Sequence, residues 1–217
     1  MNFNSIRVKS SIPTLLMAIT VLVVITLFSY LNSLQRHALS IEDENFLPAV
    51  STVLNADRDL YQAKLALAIL KSGNTKEGDA AKADFDENAL QVQQRFNEYL
   101  GFLSDYPEIA VKFADFEQNY QSWRQSAVVL FDAQTELEFN SLLSVEDGKF
   151  AELRKILNLA GEVALELSEQ EQTKLDAQIQ WFTNITYGFA FILLLISSWF
   201  SYKGPRDLTR QINALTQ

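Results

Sequence analysis

The chain has 217 residues, no cysteine and a formal net charge of −9 at pH 7. Without cysteine neither a disulfide framework nor a thiolate site can form, and an acidic balance without a basic stripe argues against nucleic acid as a partner. Only 7 glycines and 4 prolines are present, which favours long helices over sheets. The length allows one domain of about 140 residues together with two membrane helices.

Two stretches without charged side chains, residues 10–35 and 177–202, lie near the ends of the chain. A helix of roughly 20 apolar residues crosses a bilayer, so each stretch is long enough to span one. Basic residues flank the outer ends of both stretches, whereas every acidic residue except Asp207 lies between them. Because Lys and Arg are retained on the cytoplasmic side, both termini should be cytoplasmic and the acidic middle external.

These features predict five segments. They are a cytoplasmic segment at 1–9, a transmembrane helix at 10–31, an extracytoplasmic domain at 32–180, a second transmembrane helix at 181–202 and a cytoplasmic segment at 203–217. The first span should be an uncleaved signal anchor, because its apolar run from Ile12 to Leu31 exceeds the 7–15 residues of a signal-peptide core. Trp181, Trp199 and Tyr202 are spaced to anchor the second span at the two membrane interfaces.

The external segment shows helical periodicity in four stretches. The first has apolar residues mostly at steps of three and four: Leu47, Val50, Leu54, Tyr61, Leu65 and Ala68. Ser72-Gly73-Asn74 should end this helix, because glycine readily adopts the left-handed cap conformation. The second helix should begin near Asp79 and bury Phe85, Ala89, Val92, Phe96, Tyr99 and Leu103.

The third and fourth stretches follow an interruption at Ser104-Asp105-Tyr106-Pro107, where Pro107 is well placed as the first residue of a helix. The third stripe is Ile109, Phe113, Phe116, Tyr120, Trp123, Ala127, Leu130 and Leu137. Ser141–Gly148 is predicted to hold the third connection. The fourth stripe is Phe150, Leu153, Leu157, Ala160, Ala164 and Leu167, and this helix should run unbroken into the second span.

Each stripe is narrow, so each helix must bury it against the others. Four helices with short connections predict an all-α, up-down-up-down four-helix bundle packed at about 20° between the two transmembrane helices. Pro48 lies within the first helix and should kink it or mark a break near the acidic stretch Ser40–Asn45.

Signals for catalysis are weak. His37 is the only histidine, no cysteine is present, and no acid-rich loop has the spacing of a calcium site. Glycines are too far apart to form a phosphate-binding loop. We therefore expect no enzymatic activity, no metal and no cofactor.

One polar cluster, Asn55-Ala56-Asp57-Arg58-Asp59, interrupts the apolar face of the first helix. Burying these charges costs several kcal/mol unless they are paired. Two interpretations stay open: an inter-helix ion pair that sets the register, or a ligand-contacting site at a helix or dimer interface. In such a site Arg58 would bind a carboxylate, and Asp57 or Asp59 an ammonium group.

Three aromatic residues, Tyr61, Tyr120 and Trp123, are further candidates for contacts with a ligand. The last two belong to the third apolar stripe, so core packing is the favoured role for them.

The residues after the second span resemble the opening helix of a HAMP linker. Pro205 is followed by Leu208, Ile212 and Leu215 at steps of three and four. With two spans, an external helical bundle and the first-helix stretch Leu54–Ala63, the chain resembles the amino-terminal sensor part of a methyl-accepting chemotaxis protein. It ends at Gln217, within the first HAMP helix, so we expect a fragment or truncated product that senses but does not transmit unaided.

The resemblance implies a homodimer in the bacterial inner membrane with its sensor domain in the periplasm. It further implies recognition of a small solute or a solute-loaded binding protein, with sliding or tilting of the fourth helix as the response. A cytoplasmic histidine kinase and its adaptor would act through the missing output domain. The same segment order occurs in histidine kinases and cyclases, and a non-sensing membrane scaffold is a third possibility.

Overall fold

A computed structural model describes residues 6–70 and 75–215. In these ranges every regular element is helical, which confirms the predicted all-α fold. The elements are α1 (Ile6–Ile41), a π-helical turn (Glu42–Phe46), α2 (Leu47–Leu70), α3 (Thr75–Phe102), α4 (Pro107–Lys112), α5 (Phe116–Val128), a 3₁₀ turn (Val129–Asp132) and α6 (Glu136–Leu215). The predicted helix end at Ser72-Gly73-Asn74 lies outside the described residues, and α3 begins four residues before Asp79.

The chain divides into two compact units. One combines most of α1 with the last part of α6, and within it the rings of Tyr30 and Phe182 lie 4.7 Å apart. Both helices are long and apolar enough to cross a membrane. Their most apolar windows are not buried, in contrast to the core helix of a soluble protein.

The other unit, Leu39–Glu171, is a four-helix bundle of α2, α3, α5 with its short leader α4, and the first part of α6. Cross-helix contacts show that neighbouring helices are antiparallel. Gln93 on α3 hydrogen bonds to Glu117 on α5, whereas Asp86, earlier on α3, pairs with Arg124, later on α5. The predicted short connections therefore produce the predicted alternation of direction.

The predicted stripes of α3, α5 and α6 form the core. Every residue named for α3 is buried, and so are all those named for the third helix except Leu137. On α6, Leu153, Leu157, Ala160 and Ala164 are buried, and Phe150 and Leu167 pack against them. Two buried tyrosines join helices through main-chain acceptors: the hydroxyl of Tyr99 donates to the carbonyl of Ala160 and that of Tyr120 to the carbonyl of Ala89, each at 3.0 Å.

The predicted buried face of the first helix is wrong. Leu47, Leu54 and Leu65 are 54%, 63% and 63% exposed, and Tyr61 and Ala68 are exposed as well. The opposite face is buried instead, and it is rich in small residues: Ala49, Val53, Ala56, Leu60, Ala63 and Leu67. Small side chains let α2 approach its neighbours closely, so that the aromatic residues of α3 and α5 fill the core.

Pro48 produces the irregularity that was predicted near Ser40–Asn45. It has no N–H to donate to the carbonyl four residues earlier. The helix accommodates this loss with the π-helical turn, in which the N–H of Leu47 donates to the carbonyl of Glu42 five residues back. The Glu42 carboxylate also accepts a 2.6 Å hydrogen bond from the hydroxyl of Ser168 on α6.

The connection at Ser104–Pro107 is confirmed, and Pro107 is the first residue of α4. The third helix, however, breaks between Lys112 and Phe116, so it consists of α4 and α5. Leu137 does not belong to its stripe, because it lies in the first turn of α6 and is 83% exposed.

The third connection is not at Ser141–Gly148, which is helical. It lies between Val129 and Thr135, and α6 begins at Glu136. The sequence signal is the capping-box pattern of Thr135 and Glu138. The hydroxyl of Thr135 accepts from the N–H of Glu138 at 3.2 Å, and the Glu138 carboxylate accepts from the N–H of Gln134, one residue before the usual donor. From there α6 continues without interruption to Leu215, as predicted for the fourth helix.

Glu146 is a fully buried carboxylate on α6, within the segment that was predicted to be a connection. It pairs with Lys64 on α2 and accepts a 2.9 Å hydrogen bond from the indole N–H of Trp123 on α5. Lys64 also contacts Asp147 at 2.5 Å. The carboxylate therefore joins three helices, and its charge is compensated where water is excluded.

We predict that replacing Ala56 by leucine destabilises the bundle by about 1–3 kcal/mol, because the added carbons must enter a closely packed face. Leu54→Ala should change the stability by less than about 0.5 kcal/mol in the monomer, because Leu54 is exposed. Urea unfolding of the Leu39–Glu171 unit, at a concentration that keeps it monomeric, measures both. If Leu54→Ala were the more destabilising change, the assignment of the buried face would be incorrect.

We further predict that Glu146→Ala lowers the unfolding free energy by about 3–5 kcal/mol, because it leaves Lys64 and the indole N–H of Trp123 without their buried partner. Glu152→Ala is the matched control, because Glu152 lies on the same helix in an exposed pair with Lys149. It should cost less than about 1 kcal/mol. Equal effects in urea unfolding would exclude a stabilising role for the buried network.

Candidate ligand-binding surface

The middle of α2 carries Asp57, Arg58, Asp59 and Lys64 within two turns. Successive helical residues are about 100° apart, so these side chains point to different neighbours. The structure divides them among α3, α6 and the outer surface of α2, and these three environments determine what each residue can do.

Asp59 is fully buried and pairs with two arginines. One carboxylate oxygen accepts from Arg58 at 3.0 and 3.2 Å, and the other accepts from Arg95 on α3. This is the inter-helix ion pair that was one of the two interpretations of the cluster. Since Asp59 is fully buried and both of its oxygens face arginines within the bundle, the ammonium group of a ligand cannot reach it.

Asp57 is only half-buried and lies beside Arg154 on α6, with 3.5 Å between its carboxylate oxygen and the Arg154 Nε. Neither of these two atoms makes a hydrogen bond, although both are shielded from solvent. Burial raises the pKa of Asp57, and the positive charge of Arg154 opposes this increase. The two groups therefore form a looser ion pair at the boundary of α2 and α6 than Asp59 forms with its arginines.

Tyr61 lies one turn after Asp57 and faces the same boundary. Its ring packs edge to face against the Phe150 ring, with 5.3 Å between the centroids. The Arg154 guanidinium lies over the Tyr61 ring, 4.8 Å from its centroid. The side chain is still 43% exposed. An aromatic ring, a cation and a carboxylate thus lie together at an accessible edge of α2.

Tyr120 and Trp123 do not join this surface. Both are buried in the core, and their polar atoms are bonded inside the bundle, to Ala89 and Glu146 respectively. Burial raises the pKa of Tyr120. The structure therefore places both residues in the core-packing role that was favoured for them.

Three charged residues at these contacts were missed in the sequence. Arg95, Arg154 and Glu146 each appear there as ordinary charges on a helix. Glu146 had a usable signal, because Phe139, Glu146, Leu153 and Ala160 are seven residues apart and so share one face of α6. When one acidic residue occupies a position within a buried apolar stripe, the pattern indicates a carboxylate that is paired in the core.

The exposed face of α2 is an accessible feature to which these residues contribute. Arg58, whose side chain is 55% exposed, lies on it between Leu54 and Leu65. Asp57 and Arg154 border it. Among the described residues there is no group of three or more His, Cys, Asp or Glu side chains that could hold a metal ion.

The predicted membrane anchors are exposed along α6: Trp181 at 61%, Trp199 at 62% and Tyr202 at 64%. Pro205 does not open a helix, because α6 passes through it to Leu215. The side chains of Leu208, Ile212 and Leu215 lie outside the described residues.

Residues 2–160 match the family model described as the Tar ligand binding domain homologue, TarH. No curated protein and no solved structure matches the chain significantly. The family match covers the whole of α1 to α5 and the first part of α6, including every contact described around α2. The chain therefore belongs to the TarH family of chemoreceptor ligand-binding domains.

Proposed function

We propose that the chain is the sensor module of a methyl-accepting chemotaxis protein in the inner membrane, with the Leu39–Glu171 bundle in the periplasm. The family match is the observation that carries this proposal. Two apolar helices adjoin the bundle, and acidic residues predominate between them while basic residues flank them. This charge distribution supports cytoplasmic termini.

The module acts as a homodimer in which α2 packs against α2 of a second copy. Leu47, Leu54, Tyr61 and Ala68 are spaced by seven residues on its exposed face, the repeat of a coiled-coil seam. A row of large apolar side chains that remains exposed in one chain indicates an interaction surface. The face of α2 that its large apolar residues predict to be buried is then covered by the second copy and not by the other helices of the same chain.

The ligand is a small solute that carries a carboxylate and binds on this dimer surface, between the exposed face of α2 and its border with α6. Arg58 supplies the carboxylate contact, because more than half of its side chain is accessible and Arg95 would still compensate Asp59 without it. Asp57, whose side chain is partly exposed, is better suited than the fully buried Asp59 to accept from an ammonium group. Tyr61 and Arg154 complete the edge.

Binding is relayed through α6. The Asp57–Arg154 and Lys64–Glu146 pairs connect α2 to this helix, which extends over 80 residues from the bundle through the second apolar segment. A ligand that perturbs α2 can therefore favour a shifted position of α6. A tenfold preference for one position supplies about 1.4 kcal/mol. The shift would reach a HAMP linker, and through it a cytoplasmic histidine kinase and its adaptor.

We predict that Arg58→Ala weakens binding of a carboxylate ligand by about 10- to 100-fold, the value of one hydrogen-bonded charge contact. Titration calorimetry of the Leu39–Glu171 unit against amino acids and organic acids measures this. Arg124→Ala is the control, because Arg124 is similarly exposed but pairs with Asp86 between α3 and α5.

Arg58→Ala should leave the melting temperature nearly unchanged, since Asp59 keeps Arg95 as a partner. A markedly lower melting temperature would assign Arg58 to the ion-pair role alone. Unchanged binding in Arg58→Ala would remove it from the site.

We also predict that Leu54→Glu raises the dimer dissociation constant at least about 100-fold, because a charge would be placed in the centre of an apolar seam. Sedimentation equilibrium of the Leu39–Glu171 unit measures the constant. Leu165→Glu is the matched control, because Leu165 is 54% exposed, against 63% for Leu54, but lies on α6. A larger effect of Leu165→Glu would place the interface on α6 and contradict the α2 seam.

A further inference from the structure

Four side chains form a continuous patch where the second apolar segment of α6 ends. Tyr202 and Lys203 follow Trp199 by three and four residues, and Arg206 follows them by four and three, so the four side chains share one side of the helix. Together they line a concavity of about 270 Å³. Two aromatic rings and two cations therefore meet in one small site.

Each cation is positioned by the aromatic residue one turn before it. The Lys203 Nζ lies 5.4 Å from the centroid of the Trp199 ring, and the Arg206 guanidinium lies 4.8 Å from that of Tyr202. Arg206 Nη1 also donates a 2.6 Å hydrogen bond to the Tyr202 hydroxyl. These contacts orient the charges without neutralising them.

Among the side chains that the structure describes, Lys203 and Arg206 use little of their hydrogen-bonding capacity. A guanidinium has five N–H donors and an ammonium has three, and one hydrogen bond to Tyr202 accounts for a single donor. In the part of the chain whose side chains are described, no carboxylate lies within ion-pair distance of Lys203 or Arg206. The site thus presents two positive charges and several donors beside apolar rings, a combination that complements a phosphodiester next to hydrocarbon.

We propose that this patch binds the phosphate of an anionic phospholipid, with Lys203 and Arg206 contacting the phosphate and Trp199 and Tyr202 contacting the glycerol and upper acyl chains. The proposal rests on the membrane crossing of α6 put forward under the proposed function. A lipid is favoured over a soluble phosphate because exposed Trp and Tyr at the end of an apolar segment lie at headgroup depth. Basic residues at that depth attract anionic lipids.

Fluorescence quenching by brominated lipids tests the proposal. The full chain carrying Trp181→Phe is placed in lipid nanodiscs that contain phosphatidylcholine and a minor fraction of phosphatidylglycerol, with bromine on either lipid. Trp123 is fully buried in the bundle, so lipid quenching reports Trp199. Brominated phosphatidylglycerol should quench more strongly than its mole fraction predicts, and the preference should fall roughly five-fold for each cation that is removed.

Lys203→Gln with Arg206→Gln should abolish the preference, whereas Arg206→Lys should keep part of it. Lys155→Gln is the control, because Lys155 is exposed on the same helix but within the bundle. Equal quenching by both brominated lipids in the parent chain, or a preference that survives in the double variant, would overturn the proposal. If brominated phosphatidylcholine quenched the double variant less than the parent, Trp199 would have moved out of the lipid in that variant. The lipid preference would then be compared in Lys203→Gln and in Arg206→Gln, and a preference unchanged in both would overturn the proposal.

Both leaflets of a nanodisc have the same composition, so the result does not depend on the orientation of the chain. A reporter fused after Gln217 tests the orientation separately. An external reporter together with a lipid preference would contradict the proposed topology alone, and a cytoplasmic reporter without any preference would contradict the lipid site alone.

Discussion

The packing of α2 is the constraint on which the proposed activity depends. This helix turns its small side chains, among them Ala56 and Ala63, toward the core and leaves Leu54 and Leu65 exposed. The bundle covers only the face with the small side chains, so the face with Leu54 and Leu65 stays exposed in one chain. The larger residues are therefore available for a second copy, and the charged residues between them lie where such a copy would contact them.

The buried carboxylates determine how that helix is joined to its neighbours. Asp59 connects α2 to α3, and Glu146 connects α6 to both α2 and α5. A buried charge is stable only in the register that pairs it, so each carboxylate disfavours sliding of its own helix by a turn. Asp57 and Arg154 differ, because their facing atoms are 3.5 Å apart and both side chains are partly exposed. The bundle thus combines fixed contacts in its interior with an adaptable one at its surface.

The two ends of α6 have different chemistry along one helix. The part within Leu39–Glu171 packs through leucine and alanine, whereas the apolar part from Trp181 onward exposes large aromatic and aliphatic side chains. The exposed apolar part is suited to hydrocarbon, and the cations after it are suited to a headgroup layer. A chemoreceptor of this design would sense with α2 and report through α6.

The sequence by itself determined the helical class, the two apolar segments and the buried stripes of α3, α5 and α6, because aromatic and leucine residues at helical spacing leave few alternatives. It also indicated the irregularity before Pro48. Only the tertiary structure decided which face of α2 is buried, since hydrophobicity ranks Leu54 above Ala56 while close packing selects the alanine. The same holds for Asp59 and Glu146: their charge is visible in the sequence, but the arginine, lysine and tryptophan that compensate it come from distant helices that only folding brings together.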